Sequence, residues 1–339
     1  MDHGAIVRPV DLRRDLEALA RLAEEAFAEE FARRGSTFGD TLHEQRRAAA
    51  LLQGLGRISP AVRSANLGYV CEEEGEVTSV VTFGRRGRSG EAWEIDSVAT
   101  AASKRRRGMA RRLVAQAMWR AEQLGGKRVT LKVRRDNTGA YGLYRSLGFE
   151  HYHSTVALKL TAVPAVDDPP LDGVRLRSLS FGDWRPRFEV ACKATPAAVQ
   201  RFAPVAAEQF MRPRLLVWLA PVLARLSAIA VMGWVAECGE GAVATLRLLA
   251  RRKAKMPHEL KLEIAPDYAG TLGEPLLRKA LHELRGFPPR YLEAELAESD
   301  EKLLPLFERY GFERMETWDW LGRALGPQSP RAVPVGQGQ

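Results

Sequence analysis

The chain has 339 residues, of which 45% are apolar and 27% charged, with a formal net charge of +9. That composition excludes fibrous and disordered classes, and the length suits two domains of about 150 residues. Cys71, Cys192 and Cys238 lack the close spacing of a disulfide framework or zinc site, and MDHGAIVRPVDLRRD lacks a secretory apolar segment, so a cytoplasmic setting is expected.

Ile6–Arg8 reads as a short strand. From Asp11 the pattern turns helical, with Leu16, Leu19, Leu22 and Phe27 on one face, and a second helical stretch is expected around 41–54. Residues 68–73 and 77–83 form an expected hairpin around Glu74–Glu76, and AWEIDSVAT (92–100) is the next strand. Met109, Leu113, Ala117 and Leu124 recur at helical spacing, and Gly125-Gly126 ends that helix. Val129, Leu131 and Val133 alternate as in a strand. Asn137–Leu147 is helical up to Gly148, and Val156–Leu160 closes with a strand. His151 and His153 flank Tyr152 without a third ligand, so no metal is implied.

TAVPAVDDPPLD (161–172) reads as a linker, and the segment from Gly326 onward as a disordered tail. Between them the plan repeats. GVRLRSL (173–179) matches the opening strand; Ala228–Glu237 and Ala242–Leu249 match the hairpin. Glu259–Ala265 and Tyr291–Leu296 are strands, and two helix faces carry Leu272, Leu276, Ala280, Leu284 and Leu303, Leu306, Phe307, Tyr310. LYRSLGFE (143–150) recurs as LFERYGFE (306–313), an offset of 163. A period of this length implies duplicated domains, each βααβββαβαβ, rather than a solenoid. Residues 215–236 are long and apolar, but Pro221 and Arg225 in their middle favour a buried helix followed by a strand over a membrane span.

The chemistry is concentrated between a strand and a helix, in the spacing Arg105-x-x-Gly108-x-Ala110. A helix start presents unpaired N–H groups and the positive dipole end. Small residues let a diphosphate approach those amides, and Lys104, Arg105, Arg106, Arg107, Arg111 and Arg112 add charge. The alternative reading of the turn alone is a basic helix start on a solvated face. Aromatic residues do not interleave this cluster, so nucleic acid is not the expected partner.

VATAASKRRRGMARRLV (98–114) and VRRDNTGAYGLYRSLGF (133–149) together resemble the two signatures of the GNAT superfamily of acetyltransferases, in order and separation. The resemblance covers residues 5–160 and, more faintly, 173–322. It implies an α/β (α+β) fold with a central mixed sheet flanked by helices, in two tandem copies: a catalytic domain at 1–160, a linker at 161–172, a degenerate domain at 173–325 and a tail at 326–339. It further implies transfer of acetyl from acetyl-CoA to a primary amine, with no metal. Val98, Ala99 and Thr100 would bond the pantetheine arm and polarise the acetyl carbonyl. The amides of Arg106, Arg107, Gly108, Met109, Ala110 and Arg111, with Arg105, would hold the diphosphate. Asn137 would touch the cofactor arm, and Tyr144 would protonate the departing thiolate. Glu94 is the preferred base and Asp96, two residues on, the alternative; Tyr141 could act as decoy or substrate wall.

The second copy departs from the pattern. IAPDYAGTLGEPLL (264–277) overlays the first signature only with a one-residue gap. Ala269 then stands for the arginine, Leu272 or Gly273 disturbs the glycine spacing, and Pro275 is expected in the first helical turn. Asp300 replaces Asn137, and Phe307, which has no proton to give, replaces Tyr144. A non-catalytic acyl-CoA-binding or protein-interaction module is the alternative function. The acceptor amine is left open, with its loops sought at 28–66 and 196–227, and a homodimer is compatible with the reading.

Overall fold

The computed structural model describes residues 5–34, 66–87, 89–168, 173–180, 182–211, 229–239, 241–252 and 257–326. The expected helix at 41–54, the apolar run up to 228 and most of the two substrate loops lie outside them. Among the described residues no helix is long and apolar enough to cross a membrane.

In chain order the described elements are β1 (Ile6–Pro9), α1 (Leu12–Arg34), β2 (Asn66–Glu73), β3 (Glu76–Arg86), β4 (Ala92–Thr100), α2 (Met109–Gln123), β5 (Arg128–Arg134), α3 (Thr138–Ser146) and β6 (Glu150–Leu160). Then come β7 (Arg175–Ser178), α4 (Trp184–Ala194), α5 (Ala197–Phe202), β8 (Ile229–Cys238), β9 (Gly241–Arg251), β10 (His258–Ile264), α6 (Ala269–Leu284), β11 (Leu292–Ala297), α7 (Leu303–Arg309) and β12 (Glu313–Ala324). Contacts gather these into two compact units. The first comprises Met1–Val133, Asn137–His151 and Leu321–Gln339; the second comprises Arg134–Asp136 and Tyr152–Trp320. The units therefore do not follow a linear division near residue 160. The physical reason is strand pairing: β6 runs antiparallel to β11, from Leu160 opposite Leu292 to Thr155 opposite Ala297.

In the first unit the strands run in the order β1-β2-β3-β4-β5, with the end of β12 beside β5. Leu325 N–H donates to the Lys127 carbonyl at 2.8 Å. β1–β2, β2–β3 and β3–β4 pair antiparallel, and β4–β5 pairs parallel. The core holds Trp93, Phe83, Leu113, Met118, Leu131, Phe149 and, from the far end of the sequence, Leu321. Helix α2 buries Met109, Leu113, Val114, Ala117, Met118 and Ala121; each large side chain among them contributes about 1.5–3 kcal/mol. Gly126 passes so close to Trp93 that a Cβ there would meet the ring at 2.7 Å.

The second unit has the order β12-β6-β11-β10-β9-β8-β7. Its core includes Leu246, Leu248, Leu276, Leu277, Leu281, Phe307 and Leu158. Helix α6 buries Leu272, Leu276, Leu277, Ala280, Leu281 and Leu284. These are the counterparts, at the unbroken offset of 163, of the buried positions in α2. The expected one-residue gap therefore falls ahead of the helix, and Thr271 stands for Gly108. Pro275 also lies further along than expected, in the second turn, because α6 already begins at Ala269. The same offset recurs in hydrogen bonds within this unit: Arg135 N–H donates to Thr317 C=O at 2.9 Å, and Glu298 N–H to Ser154 C=O at 2.9 Å.

Candidate active site

In the first unit, β4 and β5 pair from Ala92–Arg128 to Ile95–Leu131, although β4 continues to Thr100 and β5 to Arg134. Beyond Ile95 the edge of β4 toward β5 has no ladder partner among the described residues. On its other edge Val98, Ala99 and Thr100 stay paired with Val81, Val80 and Ser79 of β3. Main-chain groups on this edge of β4 beyond Ile95 are thus left without ladder partners, which is what an extended amide-bearing ligand needs.

The turn after β4 has two residues in the left-handed region, Arg106 at φ 64° and Gly108 at φ 78°. A non-glycine residue rarely adopts this conformation, and it persists where the surroundings enforce it, commonly at ligand sites. Alternating backbone of this kind turns successive N–H groups into an anion-binding nest, here at the head of α2. Among the described residues, chain neighbours aside, nothing lies within 4 Å of the position a Gly108 Cβ would take. The turn is held from three sides. Arg105 Nε donates to the Thr100 carbonyl at 3.3 Å. Lys104 pairs with buried Glu73 at 2.6 Å, with Arg107 at 3.9 Å from the same carboxylate. The Met109 side chain is buried against Thr78 and Ser79, so only its main chain faces the turn. Arg106 is exposed and has no partner among the described residues.

Tyr144 lies on α3 in the same apolar cluster as Met109, with Val98 packed against it. Its ring meets Phe149 edge-on at 5.9 Å. Burial alone pushes its hydroxyl up to about 12, so the group is a proton donor throughout the working pH range. That hydroxyl has no hydrogen-bond partner among the described residues. Asn137 is the N-cap of α3: its side-chain oxygen accepts from Ala140 N–H at 3.1 Å. Ala110 is half-buried on α2, and Arg111 reaches across to α3, where it donates to Ser146 Oγ at 2.7 Å. Tyr141 packs at the rim of the core.

The two carboxylates of β4 differ. Glu94 is buried and ion-paired with Arg86. Asp96 is the extra residue of a β-bulge: Thr82 pairs with Ser97 and Phe83 with Ile95, leaving Asp96 without an opposite number. It reaches the surface, yet partial desolvation, then the charge of Glu94, raise its carboxyl to about 6 against the opposing pull of Arg86. A carboxylate tuned to that range suits proton abstraction near neutrality.

A cleft of about 430 Å³ is lined by Arg111 and Arg112 of α2, Ser146 of α3, Gly148 and Arg323. Sequence reasoning missed Arg323, because nothing local marks it: it sits at the end of β12, far beyond both signatures.

In the second unit the parallel pair β10–β11 likewise stops pairing at Leu260–Ala294, but the turn that follows differs. The segment joining β10 to the helix shrinks to 265–268, and residues 269–271, the counterparts of 106–108, are wound into α6. Gly273 serves packing instead, since a Cβ there would meet Leu303 at 2.7 Å. Asp300 keeps the capping role of Asn137, accepting from Leu303 N–H at 2.8 Å. Phe307 packs against Phe312 in a tilted arrangement, centroids 4.8 Å apart, where Tyr144 meets Phe149.

The first unit thus combines a parallel strand pair that stops pairing partway, a left-handed turn heading a helix, and a second helix that carries a buried tyrosine. Residues 23–149 match the family model of the Acetyltransferase (GNAT) family. The whole chain has the fold of tandem GNAT proteins. It is similar to a tandem GNAT protein from the clavulanic acid biosynthesis pathway, with 17% identity, TM-score 0.60, and 96% of this chain and 99% of that one covered. It is similar also to a GCN5-related N-acetyltransferase from Sphaerobacter thermophilus (15%, 0.60, 98% and 99%). A putative acetyltransferase from Pyrococcus horikoshii is a third such structure (14%, 0.57, 97% and 92%). No curated protein sequence matches the chain.

Proposed function

We propose that the chain transfers acetyl from acetyl-CoA to a primary amine, with the active site in the first unit alone. The observation that carries this reading is the left-handed pair Arg106 and Gly108 heading α2 beside parted strands, a combination the second unit lacks. The residues present fit the cosubstrate: nest amides and arginines for the diphosphate, free edge groups of 96–100 for the pantetheine amides, and a main-chain N–H near Val98 for the acetyl oxygen.

The acceptor must arrive as a neutral amine, because only its lone pair can form the new C–N bond. Asp96, with Glu94 beside it, takes up the proton the amine nitrogen releases. As the C–S bond breaks, the electron pair leaves on sulfur, and the Tyr144 O–H donates a hydrogen bond and then its proton to that thiolate. The single bulge that makes Asp96 an unpaired, surface-reaching carboxylate shifts the base from Glu94, the residue preferred on sequence alone, toward the pair. The acceptor itself is an amine of unassigned class.

Calorimetric titration with acetyl-CoA tests the reading. One equivalent is expected, abolished in Arg105→Ala/Gly108→Glu. Two equivalents would restore the second unit as a site, and no binding would remove the enzyme reading. Tyr144→Phe is expected to keep the cosubstrate affinity and lower kcat about 10²-fold or more; unchanged turnover would take Tyr144 out of the mechanism.

A further inference from the structure

The turn between β4 and α2 is tied down by two carboxylates from elements that precede it in the chain. Glu73, the last residue of β2, is buried; it accepts from Lys104 Nζ at 2.6 Å, and Arg107 lies 3.9 Å from the same oxygen. Glu25 of α1 accepts from the Ala102 main-chain N–H at 2.6 Å. Lys104 and Arg107 bracket Arg106, whose φ of 64° persists in a non-glycine residue only where the surroundings impose it. Attraction of an anionic ligand does not explain these carboxylates. Beside a basic turn each repels a diphosphate, so each would weaken binding if charge were its only effect.

The duplication supplies an internal control. The short 3₁₀ turn Ala102–Lys104 has its counterpart in Pro266–Tyr268 of the second unit. Each is preceded by an alanine whose N–H donates to a neighbouring strand, Ala101 to Thr78 C=O at 2.9 Å and Ala265 to Val243 C=O at 2.8 Å. That main-chain tie is common to both units, and the carboxylate ties are not. Pro266 stands for Ala102 and has no N–H to give. Lys193 stands for Glu25, each ten residues past the aspartate that pairs with the first-strand arginine, Asp15 with Arg8 and Asp183 with Arg177. It donates instead to Ala242 C=O at 2.8 Å. Cys238, the last residue of β8, and Tyr268, the last of its turn, share a hydrogen bond where Glu73 holds Lys104. Donor and acceptor are thus both changed in the unit that has no left-handed residue between β10 and α6.

We propose that Glu73 and Glu25 are positioning residues, which set the turn 102–108 in its ligand-ready form before the cosubstrate arrives, and that Lys104 acts through Glu73 rather than on the cosubstrate. The inference rests on the reading above that this turn receives acetyl-CoA. A turn fixed ahead of binding spares the complex the ordering cost that a loose one would carry.

The test is calorimetric titration of the full chain with acetyl-CoA, at a temperature where each variant is folded. Glu73→Gln keeps the side-chain shape and removes a negative charge. Charge alone predicts tighter binding of the anionic cosubstrate; positioning predicts binding weaker by about tenfold, the worth of one charge-assisted hydrogen bond. Lys104→Gln should weaken binding by the same factor, and the double variant by no more than either single one, because both break one tie. Ala102→Pro copies the second unit at an exposed site, where the preceding ψ of 137° suits a proline. It changes no charge, covers the case in which the buried Glu73 variant folds poorly, and is expected to bind about fivefold more weakly. Binding by Glu73→Gln that equals or exceeds wild type, or losses that add in the double variant, overturns the role of Glu73 and leaves the cosubstrate reading standing. Unchanged affinity in Ala102→Pro overturns that of Glu25. No binding by wild type overturns the cosubstrate reading and the positioning roles together.

Discussion

Asp96 shows how one backbone irregularity makes a reactive group. Without the bulge it would pair across β3 like its neighbours; with it, the carboxyl stands near Glu94 in partly desolvated surroundings and titrates near 6. The linkage has a definite sign. A carboxyl whose folded pKa lies above its unfolded value favours the folded state below about pH 4, and that favour is lost as pH rises through about 6. Asp96→Asn is therefore expected to raise Tm at pH 7–8 relative to wild type and to change it little at pH 4. The same substitution should lower kcat/KM about 10²-fold or more and flatten the acidic limb of its pH profile near 6. An intact acidic limb in Asp96→Asn, lost instead in Glu94→Gln, would return the base to Glu94. The sequence singles out both carboxylates, and the family resemblance prefers Glu94 by its strand position, because a one-residue bulge has no signature in AWEIDSVAT.

At the scale of elements, the turn 105–108 and the helix behind it were readable because each carries its own local signal. Small residues and arginines stand at the helix head, and apolar residues recur along one buried stripe. The counterpart helix α6 starts earlier than expected: Pro275 suits a first turn by sequence, yet the helix already begins at Ala269, with Gly273 making room for Leu303. Gly108 plays the opposite part, since its open surroundings leave conformation as its only constraint within the protein. Gly108→Ala is expected to lower unfolding free energy by about 1–2 kcal/mol, the cost of a Cβ in the left-handed region. Its acetyl-CoA affinity should fall by more than tenfold, because the methyl enters the path of the diphosphate to the amides. Denaturant unfolding and titration on the same samples separate the two effects; an unchanged affinity would mean the nest holds no anion.

For the whole molecule, the duplication was legible from LYRSLGFE and LFERYGFE, but its partition was not. Pairing between strands far apart in sequence has no local code, so β6 reads as the closing strand of the first copy whichever sheet it joins. The contacts instead give the second unit β6, and give the first unit the end of β12. Leu321 is fully buried in the first unit's core, and Arg323 lines its cleft. Residues 1–160 alone are therefore expected to fall short of a self-sufficient domain. Expressed alone, that fragment would lack Leu321 and Leu325 beside β5 and would expose in β6 the apolar positions Val156, Leu158 and Leu160, which the whole chain buries. It is expected to aggregate or to lack a cooperative transition, although it contains both signatures and every proposed catalytic group. Leu321→Ala in the full chain provides the graded form of the same test. A truncated buried leucine costs about 2–5 kcal/mol. That loss should appear as weakened amide protection in β4, β5 and α2, and as poorer acetyl-CoA binding, while α6 and β9 keep their protection. Loss of protection confined to the second unit would show instead that each copy closes its own sheet.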